Sequence, residues 1–242
     1  MAITGAAELL ATWEAGLAEA PTGRALLLHR TARPDADAAS LPVLPVGERE
    51  ADLFALRRAL FGERMQVRLA CSACAADMEF DLDAGEFARS LGGPGDCVVR
   101  VEQDGWDVEF RLPGVADLTA AARARDPRAA LLARCLVRAV RDGAAVPAED
   151  LPVPVQRRIA EAVEAADPGA DVTLNIACPE CGEATRAELD IASYLWTELD
   201  AWARDLLLDV HLLATSYGWS EPEILALSPL RRRYYLELCA DV

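Results

Sequence analysis

Four thiols stand in two pairs in this chain, Cys71 with Cys74 and Cys178 with Cys181, each pair separated by two residues. At that spacing a tight turn can aim both sulfurs at one tetrahedral ion. A single pair would be a weak signal, but here the motif is duplicated. LACSACAADMEFDLD at 69–83 aligns without a gap on IACPECGEATRAELD at 176–190, so that Cys71 matches Cys178, Cys74 matches Cys181 and Leu82-Asp83 matches Leu189-Asp190. Alternating apolar residues lead into each copy, Val67 and Leu69 in one, Leu174 and Ile176 in the other. Both copies therefore read as strand, thiol-bearing turn, strand. Two such hairpins supply the four thiolates of a closed structural site, and the expectation is one Zn2+ held by Cys71, Cys74, Cys178 and Cys181 in a ribbon assembled from distant segments. Reduced thiols without metal, a disulfide within or between the pairs, and a redox dithiol are the alternatives. The redox reading needs a low-pKa thiol at a helix N-terminus, whereas these pairs lie between strands. Cys97, Cys135 and Cys239 fall in strand or helix patterns and read as small core residues.

The remaining reactive side chains form no catalytic set. His211, in DLLLDVHLL, has no nucleophile pattern beside it and lacks the helical spacing of a catalytic zinc site, so it reads as structural. His29 reads as a satisfied polar residue at a core edge. Arg231, Arg232 and Arg233 after a short helix and turn invite a helix-turn-helix reading. Acidic neighbours Glu221, Glu223 and Glu237, and a net charge of −16, oppose it, because duplex binding draws on phosphate neutralisation. Aromatic residues crowd the last quarter of the chain, and large amphipathic rings beside arginines match the composition of protein–protein hot spots. Tyr217, Trp219, Arg231, Arg232, Arg233 and Tyr234 are accordingly the candidate partner-binding residues.

The elements that would position these groups can be read in order. Thr4 is placed to cap a helix to about Glu19, and GRALLLHRT at 23–31 reads as a short buried helix. A helix follows over LPVGEREADLFALRRALFG, closed by Gly62, and then the first thiol hairpin. FARSLGGPGD at 87–96 reads as a linker. CVVRVEQ and WDVEFRLP flank Asp104-Gly105 and predict a tight β-hairpin. Helices are expected over 115–124, from Pro127 to near Gly143 with Leu131, Leu132, Cys135 and Val140 on it, and over 156–167. After the second thiol hairpin, Asp190 heads a long helix that Gly218 stops. Ser220 with Glu223 forms a capping box, and Ser228-Pro229 launches a last helix with Leu230, Tyr234 and Leu238 on one stripe. The apolar faces of these tail helices are expected to bury against each other or against the ribbon.

The resulting fold class is α+β, mainly helical, with a zinc-ribbon-like pair of β-hairpins and an inserted β-hairpin plus helices. Five segments are expected: an N-terminal helical segment at 1–64, the first thiol knuckle at 65–96, an α+β insertion at 97–168, the second knuckle at 169–190 and the helical tail at 191–242. Length and composition agree, since 242 residues with 52% hydrophobic content can bury a substantial core. All 24 basic residues are arginine, which reads as coding bias and carries no function. The first residues lack the basic and apolar regions of a secretory leader, and no apolar run approaches a membrane span, so a cytoplasmic protein is expected.

Several stretches resemble a family of baseplate proteins from contractile phage tails and related bacterial contractile injection systems. They are LPVGEREADLFALRRALFG, the CSAC knuckle, FRLPGVADL with LLARCL, and CPECG followed by LDIASYLWTELDAWARDLLLDVHLLATSYGWSEPEILALSPLRRRYYLEL, together spanning roughly 40–240. The resemblance implies a non-enzymatic structural or hub-assembly protein whose partners are baseplate or hub proteins of a tail-like particle. The alternative is a zinc-ribbon regulator binding nucleic acid through its C-terminal helices. CSACA departs from the pattern by lacking the glycine that follows the second cysteine in CPECG, which puts metal binding at the first pair in doubt.

Overall fold

The computed structural model describes residues 5–92 and 95–240, and the chain divides into two compact units. One joins the first 31 residues to residues 192–242, and the other spans Ala32–Ile191. The division falls inside a helix, so the N-terminal segment expected at 1–64 is shared between them.

The chain opens with α1 (Ala6–Leu17) and α2 (Pro21–Ala32). Gly5 is the N-cap of α1, and Thr4, the expected cap, lies outside the described residues. Pro21, which cannot continue α1, is tolerated in the first turn of α2, where its missing N–H has no helical partner to lose. Within this unit α1 packs on α8 (Ile191–Tyr217) at Gly16, where an added Cβ would lie 2.4 Å from the Trp196 ring. The same approach lets Trp13 Nε1 donate to Asp200 at 2.8 Å and sets the Arg24 guanidinium 4.7 Å from the Trp196 ring centre. Leu195, Leu199, Leu206 and Leu213 are buried along α8 at helical spacing. Gly218 then adopts φ +70° and ends the helix.

Two short helices complete this unit, α9 (Glu221–Leu225) and α10 (Pro229–Ala240). The Glu223 carboxylate accepts from the Ser220 N–H at 2.8 Å, as the capping box predicts, and also from the Ser220 hydroxyl at 2.7 Å. The expected burial of the last stripe is corrected here. Leu230, Tyr234 and Leu238 are 64%, 61% and 57% exposed, because α10 packs through Arg232 and its half-buried neighbours instead.

The second unit begins with α3 (Val46–Phe61), ended by Gly62 at φ +84°. Gly47 packs against the turn at Pro168–Ala170 so closely that an added Cβ would meet Asp167 Oδ1 at 1.8 Å, while its N–H donates to Asp167 at 3.1 Å. The first thiol hairpin follows, β1 (Arg64–Ala70) and β2 (Asp77–Asp83). Next comes α4 (Ala84–Ser90), capped by Asp83, whose carboxylate accepts from the Glu86 N–H at 2.7 Å. This helix occupies the first half of the stretch read as a linker; Gly93 and Pro94 of that stretch lie outside the described residues.

The inserted part is a four-stranded antiparallel sheet in chain order, β3 (Val98–Gln103), β4 (Trp106–Arg111), β5 (Leu136–Arg141) and β6 (Ala144–Ala145). Asp104 and Gly105 take φ +49° and +79°, the left-handed pair that a tight hairpin turn requires. Between β4 and β5 run α5 (Val115–Ala122) and α6 (Pro127–Cys135). The helix expected to reach Gly143 thus stops at Cys135. LVRAVR is rich in β-branched residues and is followed by Asp142-Gly143, at φ +49° and +86°, a second copy of the Asp-Gly hairpin turn. Then α7 (Val153–Ala166) covers the sheet, burying Val155 and Ile159 with Val99, Val101, Val108 and Phe110. Cys135 belongs to this core, but Cys97, expected in a core, is exposed because it lies ahead of the strand in which Val99 and Val101 turn inward. The second thiol hairpin, β7 (Thr173–Ala177) with β8 (Ala184–Glu188), closes the unit. The architecture is α+β, mainly helical, with small antiparallel sheets. Among the described residues no helix is long and apolar enough to cross a membrane.

Candidate metal centre

Each thiol hairpin carries its cysteines in a six-residue turn closed by the same hydrogen bonds. Cys71 N–H donates to Ala76 O at 2.8 Å and Ala75 N–H returns to Cys71 O at 3.0 Å; Cys178 N–H donates to Glu183 O at 2.9 Å and Gly182 N–H to Cys178 O at 2.8 Å. The residue after the second cysteine is left-handed in both turns, Ala75 at φ +59° and Gly182 at φ +76°. The missing glycine therefore leaves the turn intact and only adds strain to it. Relieving the clash of the Ala75 Cβ is worth about 1–2 kcal/mol, against about 0.5–1 kcal/mol of extra chain entropy in glycine. Ala75→Gly is thus expected to stabilise the protein by about 0.5–1 kcal/mol, read from the midpoint of denaturant unfolding.

The two turns face each other. The Sγ atoms of Cys71, Cys74, Cys178 and Cys181 all lie within 4.8 Å of one another, with Cys71 to Cys181 and Cys74 to Cys178 each at 3.7 Å. A tetrahedron of thiolates about 2.3 Å from a central ion has edges of about 3.8 Å. A disulfide would need about 2.05 Å, and the thiols are free. The four cysteines could therefore hold one metal ion. Cys71 and Cys178 are buried with Met78, and Leu69, Ala76 and Ile176 pack against them, which fixes one side of the cage, while Cys74 and Cys181 face outward.

The electrostatics of the bare thiols fit such a cage. Backbone N–H groups of Cys74 and Ala73 and the Thr185 hydroxyl point at the Cys71 sulfur and draw its pKa down to about 6. Cys181 is pushed up to about 12: the Glu183 N–H favours its thiolate, but the crowding sulfurs and desolvation outweigh that bond. One thiolate suppresses the next until a cation compensates their charge. Thr185 is the residue that sequence reasoning missed. Buried on β8, it donates to Cys71 Sγ at 3.6 Å and accepts from the Ser72 N–H at 3.3 Å, tying the second hairpin to the first turn across more than a hundred residues. In the repeat it is aligned with Met78, so only the alignment offset marks it out.

The candidate partner-binding residues gather in the other unit. Tyr217 stacks on Trp219 with ring centres 4.7 Å apart, and Tyr235 meets both edge-on at 5.8 and 4.9 Å. Arg231 and Tyr234 are exposed. Arg233 pairs with Glu237 at 3.0 Å on the surface of α10. Arg232 differs from its neighbours: it is buried and bonded to Asp209 at 3.1 Å, which commits its guanidinium to joining α10 to α8. His211 is exposed on α8, and His29 is buried.

Comparison with known proteins adds one finding. A model of the family described as T4 bacteriophage base plate protein matches residues 26–195, more than two thirds of the chain and both thiol turns. Residues 196–242, which carry the run YGWSEPEILALSPLRRRYYLEL, lie beyond the match. No curated protein and no solved structure matches.

Proposed function

The chain belongs to the T4 bacteriophage base plate protein family, and from that premise we propose that it is a zinc-stabilised, non-enzymatic structural or assembly component of a contractile tail-like baseplate. It docks other baseplate or hub proteins through its C-terminal helices. The observation that carries the reading is the family match enclosing both thiol turns, whose four sulfurs converge within 4.8 Å. Four thiolates in a tetrahedron select zinc or iron among common metals, and a closed, redox-silent structural role favours zinc. The ion would be held by Cys71, Cys74, Cys178 and Cys181, and its chemistry is to offset half the charge of four thiolates and pin two hairpins together. The docking residues are Tyr217, Trp219, Arg231, Arg233 and Tyr234, with Arg232 holding α10 in place.

The nucleic-acid alternative is the weaker one. Of the three consecutive arginines one is buried against Asp209 and one is paired with Glu237, and the chain carries a net charge of −16. Affinity purification of the tagged chain from cells assembling the particle tests the proposal. Co-purification of neighbouring baseplate proteins, reduced by Tyr217→Ala with Trp219→Ala, is the expected result. Absence of every baseplate protein at all assembly stages would overturn it, and salt-sensitive duplex binding lost on Arg231→Glu would transfer the function to nucleic acid.

A further inference from the structure

The stripe on α10 is spaced at i, i+4 and i+8 and points to solvent along the helix. Leu230, Tyr234 and Leu238 retain 64%, 61% and 57% of their exposure. Three large apolar groups in one row over a 12-residue helix are the ridge by which helices pack, and among the described residues of this unit none covers it.

The row is also symmetric about its middle. Tyr234 has leucine four residues before and four residues after it. When a second α10 is laid antiparallel with its two-fold axis beside Tyr234, Tyr234 meets Tyr234 of the other copy and Leu230 meets Leu238. One flank of the row carries Arg233 and Glu237, already paired within the helix at 3.0 Å. The same two-fold operation brings Glu237 of one copy alongside Arg233 of the other, so that the seam carries two arginines at its centre, each flanked by a glutamate of the other copy. An isologous contact needs a self-complementary patch of this kind. We infer that the occupant of the α10 stripe is a second copy of this chain, paired antiparallel through Leu230, Tyr234 and Leu238. The inference rests on reading the C-terminal helices as a docking element and names the partner of one face of it. A contact of about 18 Å of helix belongs at the small end of specific interfaces, so a concentration-dependent dimer is expected.

Sedimentation of the full, metal-loaded chain across a wide concentration range is the test. The weight-average mass should climb from 26.0 kDa toward twice that value as concentration rises. Tyr234→Arg, at an exposed position, should hold the mass at that of a single chain with an unchanged melting temperature. Glu237→Arg should do the same by lining the seam with arginines, and adding Arg233→Glu to it should restore the dimer. A wild-type chain that stays monomeric throughout, or a dimer indifferent to Tyr234→Arg, would overturn the pairing. Should a monomeric chain still capture baseplate proteins and lose them with Tyr234→Arg, the stripe belongs to a different partner; the pairing is then wrong and the docking function stands. A dimer that captures no baseplate protein would separate the two readings in the opposite direction.

Discussion

Cys178→Ser is expected to empty the metal centre and to lower the midpoint of thermal unfolding by about 10 °C or more. Structural tetrathiolate sites bind zinc with about 10–16 kcal/mol near neutral pH, and because the unfolded chain holds no preformed cage, much of that free energy is folding free energy. For a chain of this size each 1 kcal/mol moves the midpoint by about 2–4 °C, so losing about half of the binding energy is enough. At their thiol-bearing ends the hairpins have little else to hold them. Each is two-stranded, a form that is marginal alone, and the apolar cluster beneath the cage centres on Cys71, Met78 and Cys178. Cys178 is buried, so a serine there leaves a hydroxyl in an apolar setting as well as a missing ligand. Elemental analysis of the wild type should find about one zinc per chain and of the variant close to none. A chelator should reproduce the loss, since Cys74 and Cys181 face outward, and a reductant alone should not. Cys97→Ser, at an exposed thiol outside the cage, should change neither quantity. Full metal content in Cys178→Ser would remove the four-cysteine assignment.

The cage is legible because duplication writes it twice. A gapless match of fifteen residues sets which cysteine corresponds to which, and alternating residues around them mark the strands. The same match also holds a helix that composition hides. Leu82-Asp83 aligns with Leu189-Asp190, and the second pair runs straight into α8; the first runs straight into α4, which Asp83 caps, but the glycines just downstream draw the stretch toward a linker. The end of α6 is obscured for a related reason. Leu131, Leu132, Cys135 and Val140 satisfy a helical period, yet Asp142-Gly143 repeats the turn chemistry seen at Asp104-Gly105, and the turn wins. Other features have no local signature. Thr185 reaches Ser72 and Cys71 from more than a hundred residues away, and Arg232 is buried while Arg231 and Arg233 are exposed, a difference set by where α8 lies and not by residue type. Periodicity puts Leu230, Tyr234 and Leu238 on one face correctly, but a period cannot say whether that face is covered.

Asp117→Ala should cost about 3 kcal/mol at neutral pH. Its carboxylate is almost fully buried at the start of α5, where it accepts from the Gly114 N–H at 3.0 Å, Arg111 at 2.7 Å and Arg134 at 3.1 Å. Three segments meet there: the end of β4, the first turn of α5 and the end of α6. Truncation leaves a buried N–H without its acceptor and two guanidiniums facing each other. Because those guanidiniums are one third and under one half exposed, water compensates part of the loss, which keeps the cost at the low end for a broken buried pair. Asp117→Asn retains an acceptor for Gly114 and should lose less. The pH dependence separates the charge from the packing. Burial alone would raise the Asp117 pKa, but the hydrogen bonds from Arg111 and Gly114 outweigh it, and the folded value lies below the ordinary one. A depressed carboxylate stabilises the fold above its unfolded pKa of about 3.9 and loses that contribution as pH falls through the folded value. The gap between wild type and Asp117→Ala should therefore hold constant from neutrality down to about pH 4 and narrow below it. Asp167 moves in the opposite sense, since burial raises its pKa against the single bond from Gly47, so the comparison must be made as variant against wild type at each pH and not on the wild-type curve alone. A gap that stays level into strong acid would show that Asp117 acts through its shape and hydrogen bonds, with the two arginines contributing nothing through charge.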